Sequence, residues 1–215
     1  MFITFEGIEG CGKSTQVKIL SGYLKTRGVS HVTTFEPGGT SAGQAIRQIL
    51  LDSKNKNLSP FSELMLYVAD RAQHMKEVIG PALEEGKWVL CDRFCDATVA
   101  YQGVARHQDI DFVRMLNEKA TQGIRPHRTI LLDCPVEVGL ERALLRNAST
   151  SPDGQDRFER EALDFHHAVR QAYLDLAHHD ADRFIKIDAS PKEDKVAQKI
   201  RESLSPWLTK GQVCK

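Results

Sequence analysis

The stretch GIEGCGKST, residues 7–15, combines the residue types that grip a phosphate. Glycines at 7, 10 and 12 let the backbone turn so that successive N–H groups converge on one anion. A helix starting near Lys13 would add its positive end. Lys13 would bridge two phosphates of a nucleotide, and Ser14 would offer a hydroxyl to Mg2+. The loop as a whole, Gly7, Ile8, Glu9, Gly10, Cys11, Gly12, Lys13, Ser14 and Thr15, is the candidate nucleotide site. Phosphoryl transfer also uses an arginine near the moving phosphate, and this loop has none.

The elements that must position this loop are legible around it. FITFE (2–6), HVTTFE (31–36), KWVLCD (87–92), RTILLD (128–133) and RFIKID (183–188) read as five short buried strands. Helical spacing fills the gaps: 14–27, stopped by Gly28; 41–51; a long segment over 59–85 that Pro81 can kink; then 109–122, 136–146, 157–180 and 192–205. Alternating strands and helices predict a three-layer α/β fold with a parallel sheet. Ligands of such sheets sit at the carboxyl ends of the strands. There the sequence places Glu6, Glu36, Asp92 with Arg93, Asp133 and Asp188, which are expected to line one crevice. RNASTSPDGQDR (146–157) lacks periodicity and is bracketed by arginines, so it reads as a lid loop.

Bulk properties narrow the class. A chain of 215 residues is expected to form a single domain, 1–215. Lys+Arg and Asp+Glu are equal at 29 each, which argues against a protein that coats polymeric nucleic acid or an anionic membrane. The N-terminus lacks a basic region and reaches Glu6 too early for a secretory signal, and no apolar run is of membrane-spanning length. Cysteines at 11, 91, 95, 134 and 214 are odd in number and scattered, the pattern of reduced thiols in a cytoplasmic protein. The pairs His166-His167 and His178-His179 are expected on a solvated helix face.

Motors and GTPase switches are disfavoured. There is no Asn/Thr-Lys-x-Asp stretch to read guanine, and no Asp-Glu pair ends a strand. Arginines instead recur across the loops and helices: 47, 71, 93, 142, 146 and 157. Several facing one sheet edge would clamp two phosphorylated ligands. An acceptor phosphate, with its second pKa near 6, is already a nucleophile at neutral pH and needs no general base.

Four further stretches follow the phosphate loop in order: FEPGGT (35–40), LMLYVADRAQH (64–74), CDRFCDATVAYQG (91–103) and DRFE (156–159). With the loop, they resemble the thymidylate kinase family, of the bacterial type with glycine in the P-loop and arginines in the lid, from Phe2 to about Ala189. The resemblance implies a P-loop NTPase fold with a five-stranded parallel sheet and a lid. It implies transfer from ATP with Mg2+ to dTMP, giving dTDP and ADP on the way to dTTP, by a homodimer. Residue by residue, Glu9 matches an acid near the deoxyribose 3′-hydroxyl and the metal, and Asp92 an acid beside metal and acceptor. Tyr67 matches a ring stacked on thymine, Arg71 an arginine on its exocyclic oxygen, and Thr98 and Gln102 polar contacts to the base. Tyr101 matches an aromatic lying where a ribose 2′-hydroxyl would go. Glu36 and Pro37 belong to the substrate loop; an X-Pro bond such as theirs is sometimes cis in a tight functional turn, which sequence does not show. Arg47 and Arg93 match the phosphate clamp, and Arg142, with residues near Ala189 and Ser190, the adenine edge. Arg146 and Arg157 match lid arginines, with Arg146 expected to be catalytic alongside Lys13 and Arg93. Ser14 and Asp92 are the expected metal contacts.

Two positions, Phe35 and Phe94, depart from the family pattern. Phe35 stands where the family reads Arg, removing one cation near the acceptor phosphate. Phe94 replaces the commoner Tyr or His, and Gly10 stands where some members carry a basic residue. A kinase of a sugar hydroxyl would need a carboxylate base, and a non-catalytic nucleotide binder would have no use for Lys13, Asp92, Arg93 and the lid arginines together.

Overall fold

Each of the five apolar runs is a strand in a computed structural model that describes residues 1–150 and 157–208, with 148–150 described as backbone only. They are β1 (Phe2–Glu6), β2 (His31–Phe35), β3 (Trp88–Asp92), β4 (Arg128–Asp133) and β5 (Phe184–Asp188). They pair in the order β2-β3-β1-β4-β5, every pair parallel. Side chains of β1 and β3 alternate between two apolar layers, as a period of two requires. Ile3, Phe5 and Leu90 join Val17, Leu20 and Leu24 in one cluster, while Phe2, Val89 and Cys91 join Met75, Ile79 and Ala82 in another.

The helices are α1 (Lys13–Thr26), α2 (Ser41–Leu51), α3 (Pro60–His74), α4 (Gly80–Glu84), α5 (Cys95–Thr98), α6 (Ile110–Thr121), α7 (Val136–Thr150), α8 (Leu163–His179) and α9 (Glu193–Leu208). Two starts are set by capping: Thr40 accepts from the Gly43 amide at α2, and Ser59 accepts from the Ser62 amide at α3, with Pro60 following in the first turn.

The long segment over 59–85 is helical, in three pieces, with Pro81 in the first turn of the last. It widens one turn earlier, into a π-helical stretch, Met75–Ile79. Pro81 cannot return an N–H to the turn before it, and its ring crowds the carbonyl there, so the helix loosens ahead of it. Gly80 permits this, since a Cβ there would lie 2.8 Å from the Met75 carbonyl oxygen.

Three other boundaries differ from the sequence reading. Periodicity shows no element between 93 and 108, yet α5 continues as a π-helical segment, Val99–Ala105. Residues 146–150, expected as the start of an irregular lid, complete α7. Asn, Ser and Thr lower helix propensity by only a few tenths of a kcal/mol, so their composition is a weak stop signal. The rest of the lid, 151–156, lies outside the described residues. At its far side α8 begins at Leu163, not 157, and residues 157–160 form a turn.

Chain leaving β1 crosses toward β2, and chain leaving β3 crosses toward β4, on the opposite side of β1. The exits of two neighbouring strands therefore part, which opens a crevice at their carboxyl ends. The phosphate loop leaves β1 at that point, and Asp92-Arg93 ends β3 beside it.

Candidate active site

Between β1 and α1 the loop is built to present bare N–H groups. Gly12 caps α1 at φ +95° with no side-chain acceptor, and no acid stands in the first turn. The first amides of α1 are thus left for an external anion. Lys13, 7% exposed, folds back so that Nζ donates to the carbonyls of Gly7 at 3.1 Å and Ile8 at 2.7 Å, and to Cys11 Sγ at 3.4 Å. Gly7, Ile8 and Cys11 form the back of the loop, and Glu9, Gly10, Gly12, Lys13, Ser14 and Thr15 form its open side. Ser14 Oγ donates to Asp92 Oδ2 at 2.5 Å across the β1/β3 crevice.

Position 10 has no room for a basic side chain. The backbone is at φ +66°, and a Cβ would lie 1.9 Å from the carbonyl oxygen of Gly139 in α7. The missing arginine is therefore a packing consequence of α7 lying directly on the loop.

The loop opens into a cavity of about 850 Å3, large enough for a nucleotide-sized ligand. Its opposite wall carries Glu36, Pro37 and Arg47 from β2 to α2, and Tyr67 from α3. The floor carries Asp92, Arg93, Thr98, Tyr101 and Gln102, and the outer rim Arg142 and Arg146 from α7. The unforeseen helical segment 95–105 is what brings Thr98, Tyr101 and Gln102 in. The Glu36-Pro37 peptide is cis.

Arg93 is the centre of the floor. It sits at φ +69°, donates to the Gly7 carbonyl at 3.0 Å and to Glu9 Oε1 at 3.0 Å, and lies 4.9 Å over the Tyr101 ring. Tyr101 donates its hydroxyl to the same Glu9 oxygen at 2.5 Å. Burial alone would raise the Glu9 pKa, but His166, Arg93 and Lys13 outweigh it and hold the carboxyl at about 2. Thr98 lines the cavity, and its Oγ1 is buried with no hydrogen-bond partner among the described residues. Arg47 donates to the Pro37 carbonyl at 2.9 Å and stacks 5.6 Å from the Phe35 ring, so Phe35 supplies a shelf for a cation in place of one. Arg142 reaches the carbonyls of Ala189 at 3.1 Å and Ser190 at 3.0 Å, which joins the rim to the loop after β5 as expected. Arg146 lies at the rim with Glu159, 3.4 Å away.

Several of the expected residues are held by protein partners. Arg71 is 1% exposed behind the wall, donating to Glu36 Oε2 at 2.9 Å, Asn117 Oδ1 at 2.7 Å and the Phe94 carbonyl at 3.1 Å. Glu36 lines the cavity, and its carboxylate is paired with Arg71 and with His74 at 2.9 Å. Arg157 is also buried, ion-paired with Glu63 and donating to the Leu50 carbonyl. It is not among the residues that line the cavity. Asp133 pairs with Arg170, and Asp188 accepts from the Ser190 amide, both away from the cavity. His166 is fully buried, unlike its exposed neighbours His167, His178 and His179.

Sequence reasoning missed Glu63, the buried acid that holds Gln102 at 2.9 Å and Arg106 at 3.3 Å as well as Arg157. The signal was available, because Glu63, Tyr67, Asp70 and His74 fall at helical spacing on one face of α3.

Glu6 lies beneath the site, not in it. It accepts from the Phe94 amide at 2.7 Å and the Tyr173 hydroxyl at 2.8 Å. Burial, reinforced by the charge of Asp96, pushes its pKa up to about 8. The folded chain thus keeps this proton from the ordinary carboxyl range up to that value, while the unfolded chain releases it. Stability from this group is full at low pH and is lost as pH rises through about 8. Glu6→Gln, an uncharged isostere, is expected to flatten the decline by roughly 2 kcal/mol or more between about pH 5 and pH 8. Denaturant melts at both pH values check this, and an unchanged slope would mean that Glu6 is ionised in the fold.

A phosphate-gripping loop between a first strand and its helix, on a five-stranded parallel sheet, with arginines across the same cleft, defines a P-loop NTPase fold of the nucleotide-kinase kind. The chain belongs to the thymidylate kinase family, whose model matches residues 5–200. It is 52% identical over 199 residues to the thymidylate kinase of Pelobacter propionicus, covering 93% of this chain and 91% of that one. It is 53% identical over 194 residues to that of Geotalea daltonii, covering 90% and 91%. A crystal structure of thymidylate kinase from Ehrlichia chaffeensis superposes with a TM-score of 0.75 at 31% identity, covering 95% of this chain and 98% of that one.

Proposed function

We propose that this chain, acting as one domain, transfers the γ-phosphoryl group of ATP to the phosphate of dTMP, giving dTDP and ADP. The observation that carries the reading is one cavity with a cationic grip at each end. Lys13 and the uncapped start of α1 face it from the phosphate loop, Arg47 faces it from the opposite wall, and Arg93 stands on the floor beside the loop. Two phosphorylated ligands placed head to head would meet between them. The acceptor phosphate is already anionic at neutral pH, so the protein's task is alignment and charge neutralisation, with no general base.

In this reading Lys13 and the loop amides hold the β- and γ-phosphates of ATP, and Arg142 with the carbonyls of Ala189 and Ser190 frames the adenine. Arg47 and Arg93 hold the dTMP phosphate. Tyr67 stacks on the base, and Thr98 and Gln102 supply its polar contacts. Tyr101, tied to Glu9, fills the space a 2′-hydroxyl would need. Ser14 and Asp92, two hard oxygen donors brought together in the crevice, suit Mg2+. The ion, when bound, neutralises phosphate charge. Turnover on a panel of nucleoside monophosphates is expected to give dTMP the highest kcat/KM. UMP or AMP outcompeting it would overturn the assignment, and transfer to an unphosphorylated nucleoside would favour a sugar-hydroxyl kinase.

Arg146 is the candidate for the cation that the loop lacks. It stands on the last turns of α7 over the phosphate loop, beside Glu159. Arg146→Ala is expected to lower kcat by about 10² with little change in the dTMP KM, as for a contact made in the transition state. Near-normal kcat would place the stabilising cation elsewhere.

The reading extends to a homodimer in the cytoplasm. Phe61 of α3 and Phe112 of α6 stack at 6.3 Å with 56% and 37% of their surface exposed, and Met115 beside them is 45% exposed. Such a patch is suited to cover by a second copy. A sedimentation mass of one chain would refute the dimer. Among the described residues no helix is long and apolar enough to cross a membrane.

A further inference from the structure

Beneath the floor of the cavity lies a buried titratable side chain with no part in the chemistry above. His166, in the first turn of α8, is 0% exposed. Its Nδ1 is 3.5 Å from Glu9 Oε2. Neither ring nitrogen makes a hydrogen bond, and Glu9 Oε2 makes none either. Three such atoms together are unusual, because each buried polar atom without a partner costs about 1–3 kcal/mol. The other half of the carboxylate is fully engaged, since Oε1 takes the Tyr101 hydroxyl at 2.5 Å and Arg93 Nη2 at 3.0 Å.

We infer that His166 is a positioning residue for Glu9, and through it for Arg93: an Nδ1 proton facing Oε2 fixes the rotation of the carboxylate and so keeps Oε1 on the arginine. The unmatched atoms complement each other, a ring donor opposite an acceptor just beyond hydrogen-bond range. A small torsional change in either side chain closes the gap. The demand for a second anchor is clear from Arg93 itself, which has a positive φ and hangs between Gly7, Tyr173 and Glu9. A carboxylate free to rotate would release one of its three contacts and let the guanidinium drift from the acceptor site. Shifts on the order of 1 Å at such a group are enough to lower turnover substantially.

The inference rests on the reading of Arg93 as the dTMP phosphate clamp, and the experiment separates the two. Asn places its amide nitrogen near the position of the His Nδ1, whereas Gln places it near that of Nε2. His166→Gln is expected to raise the dTMP KM about tenfold, with the ATP KM within about twofold of wild type, and His166→Asn to stay within about threefold for both. In a Glu9→Gln background, His166→Gln is expected to change the dTMP KM less than about twofold, because the contact it acts through is already weakened. Equal effects of His166→Gln in the two backgrounds, or His166→Asn behaving like His166→Gln, would reduce the residue to core packing and overturn the proposal. Arg93→Lys assayed in parallel tests the reading beneath. If it leaves the dTMP KM unchanged the clamp falls and the proposal with it, whereas a raised KM with silent His166 variants overturns the proposal alone.

Discussion

Arg93→Ala is expected to raise the dTMP KM by about 10² and to lower kcat/KM by about 10³ or more. No other side chain reaches so many parts of the site: the phosphate-loop carbonyl of Gly7, the Glu9 carboxylate and the face of Tyr101. In the proposed function its loss removes a cation of the acceptor clamp, and it leaves Glu9 buried with one charged partner fewer. Leaving a buried charge without its partner is the expensive way to break an ion pair. The variant is therefore expected to lose stability as well, partly offset because alanine need not hold a φ of +69°. Arg93→Lys should recover only part of the activity, since an ammonium group cannot fork between a phosphate and Glu9. Initial rates with dTMP varied at saturating ATP provide the measurement. A dTMP KM within about threefold of wild type would place the acceptor phosphate elsewhere in the cavity.

Lys13→Ala should act on the other end of the reaction, with kcat lowered by about 10³ and the dTMP Kd unchanged. In this structure Nζ is held by the carbonyls of Gly7 and Ile8, 3.1 and 2.7 Å away. Those bonds keep the ammonium group inside the loop, where a phosphate has only to replace neutral oxygens. The Gly7 carbonyl keeps its bond from Arg93 when the lysine is lost, which limits the cost to the fold. Single-turnover transfer and a dTMP binding isotherm separate the two effects. A kcat within tenfold of wild type would mean that the loop amides and the metal carry the phosphate charge unaided.

These expectations draw unequally on sequence and structure. Local patterns were enough for the sheet. The apolar runs at 2–6, 31–36, 87–92, 128–133 and 183–188 became strands with boundaries shifted by no more than a residue, and α2 follows its spacing to the residue. Burial on both faces makes parallel strands nearly continuous in hydrophobic residues, a signal readable one segment at a time. The phosphate loop was readable for a similar reason, since its chemistry depends on consecutive backbone amides. The helical segment Cys95–Ala105 was not. It is short, partly π-helical, and carries Asp96, Thr98 and Gln102 inward, so its buried residues do not look like a hydrophobic stripe.

The sequence by itself thus determined the class of fold, the place of the phosphate grip, and the set of arginines and aromatics from which the site is drawn. Only the tertiary structure decided which of them line the cavity. Arg71 is turned to Glu36, 35 residues away in the chain, and Arg157 to Glu63, 94 away. His166, one residue from the exposed His167, points under Glu9. The absence of an arginine from the phosphate loop was visible at once. Its cause, the Gly139 carbonyl of α7 resting on Gly10, was not. The physical reason is the same in each case. Backbone preference and hydrophobic period are local and leave a pattern in neighbouring residues. The direction of a charged side chain is set by whichever opposite charge the folded chain brings within about 3 Å, and that partner can come from anywhere.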